Sequence, residues 1–212
     1  KDCTWSTPSL CVFKIDSYYA GDFLNKFYKE TLNRMKGSYP FGKYFKTGPL
    51  STLNKSTCMY EAFSAQWMKD LSKEYIGHNK QYCKEIYSTH DFLNDKGLGR
   101  NGFLHFDRKW AFKFFIYLTD VDKSCGAFSC VPGSHLLGKE LRQNARKESK
   151  NYSKIRNRIF VDYTNLKAYK NKIEPIEAPK GTVIVFDTDV FHMGGKVKTG
   201  KERVVIRSHN RK

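Results

Sequence analysis

Two histidines, one aspartate and one arginine are the residues whose types and spacing best suit chemistry in this sequence. His105 and Asp107 are two positions apart, and Arg203 follows His192 by eleven positions. Two neutral imidazoles and one carboxylate can occupy one face of a divalent metal and leave its other positions open, as in non-haem Fe(II) oxygenases. Arg203 adds a permanent cation that could hold a dicarboxylate cosubstrate.

The His105–Asp107 pair alone is a weak signal, because a chain with six histidines can contain this spacing by chance. Arg203 strengthens it, since it begins an apolar segment, 204–206, with the character of a strand. From such a strand the guanidinium could project into a barrel and form a bidentate pair with a carboxylate. Arg207 is the competing candidate, because it lies four residues further on and has the same strand parity.

The elements that must position these residues follow from hydrophobic periodicity. Apolar residues at helical spacing predict amphipathic helices over 22–36 and about 58–76, whose apolar stripes are core faces. Residues 38–50, with two glycines and two prolines, are predicted to be loop. From Gln81 onward, short segments between turn residues predict strands. These segments are 82–88, 102–106, 111–119, 126–131, 172–178, 182–186 and 203–209.

The predicted strand 111–119 has two unlike faces. One is wholly apolar and is expected to pack on the N-terminal helices; it comprises Phe112, Phe114, Ile116 and Leu118. The other is mixed; it comprises Lys113, Phe115, Tyr117 and Thr119. The mixed face either looks into a barrel, which places Lys113 and Tyr117 near the metal site, or is simply solvated. Helices followed by many short strands favour an α+β domain with a sandwich or jelly-roll core.

Composition limits the classes of function. The 212 residues are enough for one domain with a substantial core, and no apolar stretch of about 18 residues predicts a membrane span. The formal charge of +17 favours anionic partners, which makes an anionic substrate a hypothesis. Most of this charge is lysine spread along the chain, and its densest patch is 139–158. No patch combines regularly spaced aromatic and basic residues, so nucleic acid is not expected as a partner.

The six cysteines have no zinc-binding spacing and no C-x-x-C motif. A chain of this length does not need disulfides for stability, so reduced thiols and a cytoplasmic location are expected. No signal peptide is recognised. The sequence does not indicate an oligomeric state.

Four runs of residues carry a resemblance to a known family. They are 104–108 (LHFDR), 113–122 (KFFIYLTDVD), 126–135 (GAFSCVPGSH) and 181–188 (GTVIVFDT), and they are followed by the segment from His192 to Arg203. Together they resemble the phytanoyl-CoA dioxygenase (PhyH-like) family. The likeness covers about residues 82–209, and the helices before it fit only loosely.

The resemblance implies a double-stranded β-helix (jelly-roll, cupin-like) core backed by N-terminal helices. The chain would be a single PhyH-like dioxygenase domain over 1–212, helical to about 80 and β-helix core from about 81. It also implies an oxidoreductase that uses Fe(II), 2-oxoglutarate and O2 to hydroxylate a small molecule, with succinate and CO2 as co-products. His105, Asp107 and His192 would bind iron, and Arg203 would bind the distal carboxylate of 2-oxoglutarate.

One position departs from the family pattern. Gly194 stands where several relatives place a serine that helps hold the cosubstrate. Either Lys113, Tyr117 or water would substitute for that serine, or the affinity for the cosubstrate would be weaker. Asp107 argues against the related halogenases, which need that ligand position vacant. Two alternatives are a catalytically inactive PhyH-like binding protein, against which the intact ligand set argues, and a nucleic-acid-acting basic protein suggested by the charge.

Overall fold

Two antiparallel β-sheets and five helices make up the described part of the chain. The structure is a computed structural model that describes residues 5–7, 10–15, 19, 22–39, 42–77, 83–92, 102–149 and 158–211. The strands are β1 (Trp5–Thr7), β2 (Leu10–Lys14), β3 (Gly37–Tyr39), β4 (Gly42–Thr47), β5 (Cys83–Asp91), β6 (His105–Asp107), β7 (Phe112–Tyr117), β8 (Phe128–Cys130), β9 (Arg158–Phe160), β10 (Glu174–Pro175), β11 (Thr182–Asp187), β12 (His192–Gly194) and β13 (Arg203–Asn210). The helices are α1 (Phe23–Asn33), α2 (Cys58–Ser64), α3 (Gln66–Ile76), α4 (His135–Glu148) and α5 (Tyr163–Tyr169).

The larger sheet has eight strands in the order β1-β2-β11-β7-β13-β5-β4-β3, and the smaller has five in the order β10-β8-β12-β6-β9. Aromatic and aliphatic side chains from both sheets pack between them, Phe115 and Phe186 from the larger and Phe128 from the smaller. This is the predicted α+β architecture with a jelly-roll core. Within the described residues, no helix is both long and apolar enough to cross a membrane.

The two faces of β7 confirm the prediction from its alternating residues. Phe112, Phe114 and Ile116 belong to the buried cluster that includes residues of α1, α2 and α3. Phe115 and Tyr117 belong to the cluster between the two sheets. The mixed face therefore looks into the barrel and is not solvated.

The N-terminal part differs from the prediction in three ways. The helix predicted over 58–76 is broken at Ala65, whose extended backbone (ψ 148°) separates α2 from α3. The predicted loop 38–50 includes the end of β3 and the whole of β4. Strands also occur before residue 80, where β2 pairs with β11 and β4 pairs with β5. Strands of this kind are decided by distant pairing partners, which a local pattern does not reveal.

Two helices and the state of one thiol also differ from expectation. The sequence pattern did not predict α4, whose only fully buried residue is Gly138 and which packs on the core through the partly buried Leu137 and Leu141. It did not predict α5 either. Residues 150–157 of the basic patch lie outside the described residues. The expectation of reduced thiols is wrong for Cys11, which is disulfide-bonded, while four other cysteines are free: Cys58, Cys83, Cys125 and Cys130.

Candidate metal centre

The structure brings His105, Asp107 and His192 together on the smaller sheet. β6 and β12 pair antiparallel with His105 directly opposite His192, and the two imidazole centroids are 4.4 Å apart. Asp107 lies two residues after His105, so both side chains leave the strand on the same side. One potential ligand atom from each of the three residues lies within 4.8 Å of the other two.

Backbone carbonyls fix the tautomer of both histidines. The Nδ1 atom of His105 lies 2.7 Å from the carbonyl oxygen of Phe103, and Nδ1 of His192 lies 2.7 Å from that of Val190. Because a carbonyl oxygen can only accept, each Nδ1 carries the hydrogen and donates it. Each Nε2 atom therefore keeps its lone pair, the arrangement that metal-binding histidines need.

The electrostatics of the centre keep both imidazoles neutral. Burial lowers the pKa of His105 to about 4, even though the Asp107 carboxylate and the Phe103 carbonyl raise it. Burial also lowers the pKa of His192 well below its usual value, and the neighbouring His105 adds to this effect. Neutral imidazole is the form that binds a metal, so no proton has to be displaced near neutral pH.

Lys113 holds the carboxylate of Asp107. Its Nζ atom, on the inner face of β7, lies 2.6 Å from Oδ2 of Asp107, while Oδ1 lies 3.8 Å from Nε2 of His192. Burial raises the pKa of Asp107, but the Lys113 ammonium outweighs this effect and lowers the pKa below its ordinary value. Asp107 is therefore a carboxylate with one oxygen turned toward the histidines, and this donor set fits a divalent cation.

Arg203 lies in the same cavity but already has a carboxylate partner. Its Nε and Nη2 atoms donate to Oδ2 of Asp91 at 3.1 and 2.7 Å, and Nη1 donates to the carbonyl of Gly126. Asp91 also accepts from the hydroxyls of Tyr39 and Thr89. These contacts use three of the five N–H groups of the guanidinium, so two remain for a ligand.

Of the other two residues predicted to bind the cosubstrate, Lys113 lines the cavity and Tyr117 does not. Tyr117 is 0% exposed; its hydroxyl donates to the carbonyl of Ile176 at 3.0 Å and accepts from the Phe128 amide at 2.9 Å. It stabilises the barrel wall and does not line the cavity at the metal centre. Lys113 and Gly194 both line that cavity.

The cavity, about 290 Å³ in volume, is lined mainly by basic side chains among its charged residues. Its acidic lining residues are Glu85 and Asp107. Its lysines and arginines are Lys46, Lys109, Lys113, Arg158, Arg203, Arg207 and Arg211. The sequence-level excess of positive charge is therefore also present inside the pocket, which favours anionic ligands.

Two residues of the site were not predicted from the sequence. Asp91 faces Arg203 because β5 and β13 pair in that register, 112 residues apart in the chain. His209 also lines the cavity, and its Nδ1 atom lies 2.7 Å from Oε1 of Glu85. A local motif identifies neither residue, since both contacts are made across strands.

A jelly-roll core with two histidines and one carboxylate at its cavity defines the class of mononuclear non-haem metal enzymes. Residues 48–205 match the sequence profile of the family described as phytanoyl-CoA dioxygenase (PhyH). The chain belongs to this family. A search of curated protein sequences found no significant match.

Solved structures share the fold at low sequence identity. The epimerase SnoN, solved with Fe3+, alpha ketoglutarate and nogalamycin RO, is 14% identical with a TM-score of 0.67 over 95% of this chain and 78% of its own. HygX from Streptomyces hygroscopicus, solved with nickel, 2-oxoglutarate and hygromycin B, is 14% identical with a TM-score of 0.61 over 95% and 82%. EctD from S. alaskensis, solved with bound Fe, is 13% identical with a TM-score of 0.61 over 99% and 80%.

Proposed function

We propose that the protein is an Fe(II)/2-oxoglutarate-dependent dioxygenase that hydroxylates a small molecule. The observation that carries this proposal is the group of His105, Asp107 and His192, whose potential ligand atoms lie within 4.8 Å of one another. Membership of the PhyH family supports it. The iron and 2-oxoglutarate found in SnoN, and the 2-oxoglutarate in HygX, support the same cofactors for this chain.

His105, Asp107 and His192 would hold the iron. Bound iron, with 2-oxoglutarate and O2, supplies oxidation of a C–H bond and leaves succinate and CO2 as co-products. The backbone carbonyls of Phe103 and Val190 keep both Nε2 lone pairs available. Lys113 holds Asp107 in one orientation and keeps it ionised, as residues that hydrogen-bond to a metal ligand commonly do.

Arg203 would hold the distal carboxylate of the cosubstrate. Its two remaining N–H groups and its place in the cavity wall beside Gly194 support this role. Asp91 and the Gly126 carbonyl fix the plane of the guanidinium, so its orientation is set before a ligand enters. Lys113 and water remain the candidates to replace the missing serine hydroxyl, since the hydroxyl of Tyr117 is used in the barrel wall.

Hydroxylation is proposed as the outcome because Asp107 supplies the carboxylate ligand that halogenases lack. The substrate is proposed to be a small anionic molecule, and the basic lining of the cavity supports that choice. The cytoplasmic location stays a prediction.

Anaerobic titration of the full chain with Fe(II) and then 2-oxoglutarate tests the proposal. We expect a metal-to-ligand charge-transfer absorption band, followed by O2-dependent release of succinate. His192→Ala is the matched control, and it should show neither signal while remaining folded by circular dichroism. A wild-type protein that gives no band and no succinate would show that the proposal is wrong.

A further inference from the structure

Two arginines of β13 lie on the same face of the strand and both line the cavity. Arg203 and Arg207 are four residues apart, so their Cα atoms are separated by about 13 Å along the strand. Their partners are unlike. Arg203 forms an ion pair with Asp91, whereas Arg207 contacts aromatic rings.

The guanidinium of Arg207 lies against aromatic rings from the two neighbouring strands. Its central carbon lies 4.3 Å from the ring centroid of Tyr87 and 5.8 Å from that of Phe115, the residues opposite it on β5 and β7. Tyr87 in turn stacks on Tyr44 at 5.9 Å. Stacking engages the flat faces of a guanidinium and leaves its N–H edge available for hydrogen bonds.

No carboxylate in the described part of the chain forms an ion pair with Arg207. The carboxylates nearest to the cavity each have another cation: Glu85 has Lys46 at 2.8 Å, Asp107 has Lys113, and Asp91 has Arg203. Arg207 therefore contributes an uncompensated positive charge to the pocket. Removing such a cation from water costs free energy unless an anion pairs with it.

The position of Arg207 relates it to the metal centre. It pairs with Phe115, and Phe115 is two residues, or about 7 Å, from Lys113 along β7. Lys113 contacts the proposed ligand Asp107. A small molecule whose charged group is held by Arg207 is therefore long enough to reach the metal centre with its other end.

We propose that Arg207 binds the substrate through an anionic group, a carboxylate or a phosphate, which its N–H edge holds in bidentate fashion. This rests on the proposed function, which makes the cavity a substrate pocket. Arg203, whose charge is neutralised by Asp91, would then orient the cosubstrate. Arg207, which has no ion-pair partner among the described residues, would select the substrate. The phenylalanines of the lining, Phe115, Phe128 and Phe186, would contact the apolar part of the same molecule.

Isothermal titration with three probes of one shape tests this assignment. Phenyl phosphate and benzoate carry the two candidate anions, and benzyl alcohol carries the same ring without charge. The titrations use the full chain under anaerobic conditions with Fe(II) and saturating 2-oxoglutarate. We expect at least one anionic probe to bind about tenfold or more tightly than benzyl alcohol, and the stronger of the two identifies the anion.

Three variants separate Arg207 from the general charge of the protein. Arg207→Gln should remove the tenfold preference without changing the affinity for 2-oxoglutarate. Arg207→Lys keeps the charge but loses the bidentate edge, so anionic probes should bind at least about threefold more weakly. Arg146→Gln removes an exposed cation from α4, outside the cavity, and should leave all three affinities unchanged.

Several results would overturn the assignment. The first is that the wild-type protein does not prefer an anionic probe. The second is that the Arg207→Gln variant keeps the preference, and the third is that this variant loses affinity for 2-oxoglutarate instead. If Arg207→Gln does not fold, Arg207→Lys decides, and unchanged anion binding overturns the proposal. Absence of the charge-transfer band would instead count against the iron and 2-oxoglutarate function, and the same titrations on metal-free protein would still test Arg207.

Discussion

The two faces of the eight-stranded sheet have opposite compositions although the same strands build them. The face toward α1, α2 and α3 is apolar, with Phe112, Phe114 and Ile116 fully buried. The opposite face carries Lys113 and Arg207 at the cavity. Since neighbouring residues of a strand point to opposite sides, one strand can supply a core and a reactive pocket independently. Changes on one face should therefore affect stability, and changes on the other should affect chemistry.

Loss of a proposed metal ligand should give the largest effect on activity. Asp107→Ala removes the only carboxylate of the proposed ligand set, so O2-dependent succinate formation should fall by more than about 100-fold, beyond the loss typical of an outer-shell partner. Succinate release under saturating Fe(II) and 2-oxoglutarate measures this. Arg146→Gln, on the exposed side of α4 and outside the cavity, is the control and should retain most of the activity. Residual turnover within tenfold of wild type would remove Asp107 from the ligand set.

A truncation on the helix-facing side should mainly reduce stability. Phe114→Ala empties a fully buried site beside Trp67 and Phe112 and should cost about 3–5 kcal/mol of the free energy of unfolding. Urea denaturation measures the cost. Phe103→Ala, at a residue 54% exposed, is the matched control and should cost less than about 1 kcal/mol. Equal losses in the two variants would contradict the division between faces.

The ion pair between Asp91 and Arg203 allows a test within the pocket itself. Asp91→Asn removes the competing negative charge, so the affinity of Arg203 for 2-oxoglutarate should rise by about tenfold, equivalent to about 1.4 kcal/mol. Anaerobic titration followed by the charge-transfer band gives the dissociation constant. Weaker binding in the variant would mean that Asp91 acts chiefly by orienting the guanidinium.

The smallest effect is expected from the buried pair of Glu85 and His209. Burial, with the nearby Lys113 and Arg207 cations, lowers the pKa of His209 to about 4, although Glu85 raises it. The hydrogen bond from His209 also lowers the pKa of Glu85. Between the usual histidine pKa of about 6.5 and 4, the unfolded chain binds more protons than the folded one, so stability should fall as the pH falls through this window.

Urea denaturation at several pH values between 7 and 4 measures that slope. His209→Gln should reduce the pH dependence by an amount on the order of 1 kcal/mol across the window, because its amide does not titrate there. An unchanged slope would assign the dependence to other groups. His90 contacts Glu202 outside the cavity, and the variant His90→Gln serves as a control.

The parts of the fold that were predicted correctly are those with a local signal. The alternation along β7 identified its core face and its barrel face, and the short apolar segments marked most strands of the second half. The break at Ala65 and the strands β2 and β4 were not predicted, because non-local packing decides them. The helix α4 was missed because polar and charged residues dominate it and only two of its leucines, Leu137 and Leu141, pack on the core.

By itself, the sequence determined the family, the ligand types and the positive charge, because these depend on residue identity and spacing. Only the tertiary structure decided how that charge is distributed. Strand pairing gave Arg203 a carboxylate partner in Asp91 and placed Arg207 against Tyr87 and Phe115 without one. The two arginines are chemically identical in the chain. They differ because hydrogen-bond register across a sheet selects each residue's neighbours from distant parts of the sequence.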